Sequence, residues 1–577
     1  MTSKSQSVLK IRLPVWRARL LVTLMFMGFM ALAARALYCQ SVNKDFLQAE
    51  AEKRYARTTK LIATRGLITD RNGEALAIST AVETVTANPG QINLESIAPE
   101  KLIKLSELLG LKLDYIKRRL IQKKTFVYLK RQISPNIARE VMALKVPGIS
   151  LQTEYKRYYP NGEATAHLVG FTSRDQKGQE GLEYSYQNTL AGKSGSRRIN
   201  RNAKNQIIEE VGTISAAENG TELSLSIDRN LQYVAFSEAK NAAIEHEAKS
   251  ASVVVLDTLT GEILALANWP SYNPNNRSSF TPKLLRNRAI IDQFEPGSTL
   301  KPFTVAAALE GKFVKPNTLI DIEDGRFRIG RRTINDTHPK ESLLTVTDII
   351  QRSSNVGTAK ISLMMKPKDL WEVLSHSGFG QLPTSRFPGE VRGSLRSADN
   401  WKTIEQATIS YGHGVSVSLL QLARAYTIFA REGMLVPVTF EKRMQKVEGS
   451  RVISSTTSRS VLAMLETVTQ EGGTGTKAAI PGYRVAGKTG TAHKLVRGQY
   501  ARDKYRSSFV GLAPVSNPRL IVAVVVDEPS GGKHYGGDVA APVFRKVMEE
   551  ALTTLGIDPD DFVIEQEAKR QILQGPV

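Results

Sequence analysis

The longest apolar run lies near the start of the chain. Leu20 to Ala34, LLVTLMFMGFMALAA, is fifteen residues without a charge, and ALYC continues it past Arg35. Counted to Cys39 the run is 20 residues, the length a helix needs to cross about 30 Å of hydrocarbon at about 1.5 Å per residue. A transmembrane anchor over residues 20–40 is therefore expected, with Arg35 near one end, where its long side chain can reach the interface. Lys4, Lys10, Arg12, Arg17 and Arg19 precede the run, and no acidic residue does. The positive-inside rule then assigns residues 1–19 to a cytoplasmic tail and exports everything beyond Gln40. Ala31-Leu32-Ala33 and Ala34-Arg35-Ala36 also fit signal-peptidase sites. A cleaved signal is thus the rival reading, although the run exceeds the roughly 7–15-residue core of a signal.

After the anchor, Lys44 to Lys60 is mixed charged sequence of helical character, a juxtamembrane stalk over 41–60. Short strand-like runs follow, broken by turn signals such as Arg71-Asn72-Gly73 and Asn161-Gly162. Between them, Leu102, Leu105, Leu108 and Leu109 recur at helical spacing within Lys101–Gln132, predicting an amphipathic helix. That stretch holds ten Lys/Arg against Glu107 and Asp114. For an exported segment it reads as a solvated or lipid-facing surface rather than a nucleic-acid patch.

The pattern changes near residue 221. TELSLSID alternates as a strand does, and a helix follows from Asp228. ASVVVLD (251–257) and EILALANW (262–269) flank a turn and make an apolar hairpin, and RSSFVGLAP (506–514) with RLIVAVVVD (519–527) makes a second. A helix over 543–556 closes the region, and a polar tail occupies 557–577. Hairpins at both ends with helices between them predict an α+β domain over 221–556, an antiparallel sheet flanked by helices.

Composition narrows the chemistry. The 577 residues carry 78 Lys+Arg against 56 Asp+Glu, with 23% charged and 41% hydrophobic, so disorder and a polytopic membrane protein are excluded. The single cysteine, Cys39, excludes an intramolecular disulfide framework and any cysteine-based zinc site. The seven histidines lie at least 37 residues apart, which leaves no metal-ligand spacing. No metal and no cofactor are expected.

Two motifs compete for Lys488 and Thr489. Gly482-Tyr-Arg-Val-Ala-Gly487-Lys488-Thr489 satisfies the phosphate-cradling G-x-x-x-x-G-K-[ST] pattern, and IVAVVVDE (521–528) imitates an acidic strand end that would hold Mg²⁺. A P-loop, however, must lead into a helix, and HKLVRGQYARDK offers no apolar helical face. The same Lys488-Thr489-Gly490 completes an ordered triple: Ser298-x-x-Lys301, then Ser353-x-Asn355 after 55 residues, then Lys-Thr-Gly after another 135. The three signatures occur together in penicillin-interacting serine enzymes. Glu295-Pro296-Gly297 is a turn before a helix, so Ser298 sits at a helix start with Lys301 on the same face. A desolvated Lys301 beside Lys488 can take the serine proton. Asn355 can hold a peptide amide, and Lys488, on a strand edge, can hold a carboxylate or an anionic intermediate.

With FEPGSTLKP (294–302), SSNVG (353–357), YGHGVSVSLLQLARAY (411–426), AGKTGTA (486–492) and YGG (535–537), the chain resembles the class B penicillin-binding proteins. Specifically it is similar to their septal, FtsI-type branch, penicillin-binding protein 3. RGLITDRNGEALA (65–77), RYYPNGEATAHLVGFT (157–172), GQEGLEYSYQNTLAG (178–192) and SYNPNN (271–276) extend the match. The resemblance implies a non-catalytic pedestal over 61–220 and a D,D-transpeptidase that cross-links peptidoglycan at the division septum. Ser298 would attack the penultimate D-Ala of a stem ending in D-Ala-D-Ala, with Lys301 as base, Ser353 as proton relay and Asn355 on the substrate amide. Lys488, Thr489 and Thr491 around Gly490 would bind the substrate carboxylate, and the N–H groups of Ser298 and Thr491 would form the oxyanion hole. β-Lactams would acylate Ser298. The implied partners are an FtsW-type glycosyltransferase and other divisome membrane proteins, with the anchor in the inner membrane, the catalytic domain periplasmic, and no nucleic acid. An elongation-specific transpeptidase, a β-lactam sensor and a P-loop NTPase are the alternatives.

Overall fold

The computed structural model describes residues 14–201, 207–337, 341–496 and 498–560. Lys4, Lys10, Arg12, His338 and residues 561–577 of the polar tail lie outside the described residues. The chain divides into two compact units, Met1–Ala63 with Lys193–Glu218, and Thr64–Gly192 with Asn219–Val577.

In the first unit the apolar run is one helix, α1 (Val15–Leu37), continued by a π-helical turn over Tyr38–Val42. Protein buries none of its side chains. The 28 residues from Val15 to Val42 reach about 42 Å at ~1.5 Å per residue. An apolar surface of that length without a protein partner is at home in hydrocarbon, where the helix satisfies its own backbone. Among the described residues it is the one helix long and apolar enough to cross a membrane, as a single-pass membrane protein requires. The helical stalk stops earlier than its sequence predicts: Lys44–Tyr55 is helical, but Ala56–Leu61 is a strand. That strand pairs with Gly195–Arg201, which pairs with Ile207–Ser215. Here sheet partners distant in sequence outweigh local propensity.

In the second unit, residues 64–192 are built on the strand Ala75–Ala87, bonded to Ile68–Thr69, Val127–Ile133 and Ile149–Tyr158. The basic stretch is two helices rather than one, Pro99–Leu109 and Leu113–Leu120, followed by the strand Val127–Ile133. Gly110 breaks it in the left-handed conformation, φ 57°, the common helix stop. Leu102, Leu105, Leu109, Ile116 and Leu120 face the core, and Lys101, Lys104, Lys112, Lys117 and Arg118 face solvent. Elsewhere in these residues, the fully buried Glu183 accepts from Arg65 Nε at 2.5 Å and Arg157 Nε at 2.7 Å.

The alternating run from Thr221 yields only a two-residue strand, Leu223–Ser224. Asp228 is instead committed as the N-cap of α2 (Arg229–Glu245), accepting from the N–H groups of Asn230 and Leu231. Beyond it lies a five-stranded antiparallel sheet of β1 (Ser250–Asp257), β2 (Ile263–Trp269), β3 (Ala486–Val496), β4 (Gln499–Ala513) and β5 (Leu520–Asp527), in spatial order β2-β1-β5-β4-β3. The helix α2 and the C-terminal α5 (Ala541–Thr554) cover one face. A helical layer that includes α3 (Lys301–Glu310) and α4 (Asn355–Leu363) covers the other. Val253, Val255, Val522 and Val524 enter the first core, while Val254, Leu256, Ile521 and Ala523 enter the second. With both faces dry, these strands read as continuous apolar runs instead of alternating ones. Both hairpins and the closing helix of the predicted α+β fold are present, with β3 at the sheet edge beside the turn that precedes α3.

Candidate active site

Ser298 lies in a 3₁₀ turn, Gly297–Leu300, one turn before the regular helix that Lys301 begins. The turn is held from both sides. Gly297, at φ +56°, donates its N–H to Gly412 O at 3.3 Å, and Phe294 and Val417 exchange two backbone bonds of 2.9 Å. Beneath, Tyr426 Oη donates to Thr299 O at 2.7 Å and Thr299 Oγ1 to Pro296 O at 2.8 Å. The serine is thus presented on rigid backbone.

The Lys301 amine is buried and donates to Ser353 O at 2.5 Å and Ser353 Oγ at 3.2 Å. Ser353 has φ +62°, a left-handed backbone that costs a non-glycine residue strain and recurs at functional sites. In that conformation both its oxygens meet the amine. Burial pulls the Lys301 pKa down to about 7, and only the Asp336 carboxylate pulls the other way. Asp336 also organises the next motif. It accepts from the N–H groups of Asn355 at 2.5 Å and Val356 at 3.0 Å, and from Ser354 Oγ at 2.6 Å. A carboxylate on the first N–H groups of α4 complements both the orphan donors and the helix dipole. Asn355 Nδ2 donates to Asn335 O at 3.0 Å.

On β3, Lys488 is fully buried, with Nζ 3.4 Å from both Thr489 O and Thr489 Oγ1. Burial, then the charge of Lys301, holds its amine well below the usual lysine range. Thr489 Oγ1 lies 2.9 Å from Thr474 Oγ1, and Thr491 Oγ1 accepts the Gly536 N–H at 3.0 Å. Gly490 lets the strand pass this close to the nucleophile turn. A Cβ there would stand 2.3 Å from Ser508 Oγ and 3.0 Å from Thr299 Cγ2.

Ser298, Ser353, Asn355, Thr489 and Thr491 line one cavity of about 350 Å³, and Lys301 and Lys488 are buried residues outside its lining. Three segments that begin at Ser298, Ser353 and Lys488, the outer two 190 residues apart in sequence, therefore converge. Sequence reasoning missed Asp336 and Thr474, which line the same cavity. The glycine-rich run EGGTGTK (471–477) was a signal for Thr474; nothing local marks Asp336. Lys488 and Thr489 lie inside an antiparallel strand, so the Gly482–Thr489 pattern does not lead into a helix and the phosphate-loop reading fails. The Ser298 and Ser353 hydroxyls line one cavity, and the buried Lys301 amine, drawn down toward neutrality, is held on Ser353, the kinds of group that nucleophilic acyl transfer employs.

A family model described as the penicillin binding protein transpeptidase domain matches residues 251–549, and one described as the penicillin-binding protein dimerisation domain matches 60–225. The chain is 43% identical over 534 residues to the probable peptidoglycan D,D-transpeptidase PenA of Neisseria meningitidis serogroup A, covering 92% of this chain and 91% of the relative. It is 39% identical over 566 residues to the peptidoglycan D,D-transpeptidase FtsI of Escherichia coli K12, covering 96% and 95%. Among solved structures, the transpeptidase domain of Burkholderia pseudomallei penicillin-binding protein 3 matches with 47% identity and a TM-score of 0.54, covering 58% of this chain and 97% of that one.

Proposed function

The chain belongs to the penicillin-binding protein transpeptidase family, and from that premise we propose that it is a peptidoglycan D,D-transpeptidase working through an acyl-serine at Ser298. The observation that carries the reading is the buried Lys301 amine, held on Ser353 next to the cavity that Ser298 lines.

Ser298 Oγ attacks the carbonyl carbon of the penultimate D-Ala while its proton passes to the neutral Lys301 amine. The oxyanion lies between the N–H groups of Ser298 and Thr491, on the nucleophile turn and on β3. Such donors bind the charge only as it develops, which lowers the barrier rather than deepening the ground state. The C–N bond breaks, the departing D-Ala amine takes its proton by way of Ser353, and the stem remains as an ester on Ser298. Asn355 aligns the stem amide. Lys488, Thr489 and Thr491, with Gly490 keeping the strand close, hold the terminal carboxylate. An amine on a second stem then attacks the ester, forms the cross-link and restores Ser298. A β-lactam enters the same first step and leaves an acyl group that does not turn over.

The domain division proposed is a pedestal over 61–220 and a transpeptidase domain over 221–556. The anchor leaves 1–19 in the cytoplasm and the catalytic domain in the periplasm, supported by the basic residues ahead of the apolar run that starts at Leu20. The septal role is consistent with the FtsI naming of a relative, and an FtsW-type partner with other divisome membrane proteins is proposed on the motif resemblance alone. The detergent-solubilised full chain, given a stem peptide ending in D-Ala-D-Ala and an amine acceptor, should release one D-Ala per new amide bond. D-Ala release that leaves no acyl group on Ser298 would overturn the reading. Depletion in the host should give filaments without septa; round cells would assign the enzyme to elongation.

A further inference from the structure

A second polar cluster sits at the rim of the cavity and takes no part in the steps above. Glu295 precedes the nucleophile turn. Its carboxylate accepts the Gly414 N–H at 2.8 Å and the Tyr500 hydroxyl at 3.0 and 3.1 Å, and lies 3.3 Å from His413 Nδ1. Tyr500 Oη is itself 3.3 Å from His413 Nδ1, and the His413 ring meets those of Tyr411 and Tyr500 edge to face at 5.4 and 5.6 Å. Burial pushes the Glu295 carboxyl up, but the donors from His413, Gly414 and Tyr500 outweigh it and hold the group below its ordinary range. The cluster is charged, partly shielded from water and built from three separate segments.

Tyr500 reaches Glu295 because the hairpin is irregular. β3 and β4 pair in register as far as His493 opposite Tyr505; the register then jumps to Leu495 opposite Tyr500, with residues 501–504 outside it. His493 Nδ1 lies 3.0 Å from Ala501 O beside this break. An irregularity of this kind bends a strand pair and re-aims its side chains. The tip of the hairpin that carries Lys488 to Thr491 is thereby tied to the turn that carries Ser298.

We propose that Glu295, His413 and Tyr500 form a rim clasp that fixes the spacing between the Ser298 and Thr491 N–H groups, making Glu295 and Tyr500 positioning residues for the acylation step. The clasp rests on the acyl-serine reading above. Donors set for an oxyanion act on the transition state, so loosening the clasp costs rate and leaves initial affinity alone.

The test is stopped-flow acylation of the full-length protein by a fluorescent penicillin, resolving the initial dissociation constant from the acylation rate constant. The native chain, Tyr500→Phe, Glu295→Gln and the double variant are compared. Tyr500→Phe keeps the ring and removes only the hydroxyl, so it should fold, with a melting temperature lowered by no more than about 5 °C. Its acylation rate constant should fall about tenfold, the size of one lost bond to a charged group, with the dissociation constant unchanged within about twofold. The double variant should be no slower than the slower single one, because both cut the same link. An unchanged rate constant in Tyr500→Phe, a loss confined to the dissociation constant, or multiplicative losses in the double variant would each overturn the clasp. A native chain that fails to acylate at Ser298 overturns the acyl-serine reading instead, so the two failures are told apart.

Discussion

At pH 7, Lys301→Met is expected to fold, to melt higher than the native chain, and to acylate Ser298 about a thousandfold more slowly, the usual range for removing a general base. The two signs have one cause. Lys301 is fully buried, and its pKa falls from 10.5 to about 7. Between those values the unfolded chain binds a proton that the native chain has released, so native stability rises with pH across that window and is lowest below it. At pH 7 the burial penalty is on the order of 4 kcal/mol. Methionine removes it but orphans the Ser353 carbonyl, a cost of about 2 kcal/mol, leaving a net gain of about 2 kcal/mol. The chemistry moves the other way, because only the neutral amine can accept the serine proton. Native acylation should therefore climb through a single ionisation near pH 7 and level off above it, and the step should vanish in the variant. Calorimetry and a pH-rate profile check both signs; a variant that is both less stable and still pH-stepped contradicts the assignment.

Asp336→Ala is expected to lower stability and acylation together. Its carboxylate serves three donors, the N–H groups of Asn355 and Val356 and the Ser354 hydroxyl. Water can reach some of these once the side chain is cut back, so the loss should be about 3 kcal/mol rather than the full sum for three bonds to a charged acceptor. The start of α4 then loses its anchor, and Ser353 and Asn355 lose their fixed distance to Lys301, which should slow acylation about tenfold or more. Asp336 also raises the pKa of Lys301. Its removal should shift the midpoint of the acylation profile below that of the native chain. Thermal melts and the same pH series measure both, and a midpoint that moves up or stays in place would sink the role given to Asp336.

Much of this was legible along the chain, and what was missed has a physical pattern. The anchor, both hairpins, the closing helix and the three motif segments stand out because each is specified locally, by an apolar run, a turn or a fixed offset such as Ser298 to Lys301. The stalk from Ala56 departs from its local pattern because its conformation depends on a partner far away, Gly195–Arg201; the run after Thr221 is a strand only at Leu223–Ser224, where Ile68–Thr69 pairs with it. Gly110, which splits the basic helix, carried a helix-stop signal that apolar spacing outweighed. Within the site, residue type named the chemistry, but the left-handed turn at Ser353 and the support from Asp336, Thr474 and Tyr500 come from tertiary contacts. Asp336 sits in TINDTHP, where it looks like any turn aspartate, and Tyr500 has no motif at all.

The central claim is that Ser298 is the nucleophile. Its most direct test is intact-mass and peptide mapping of the full-length protein after incubation with a fluorescent penicillin at neutral pH. One penicilloyl group on the peptide containing Ser298, absent from a folded Ser298→Ala variant, is the predicted result. An adduct on another residue, or one that persists in Ser298→Ala, would contradict the account.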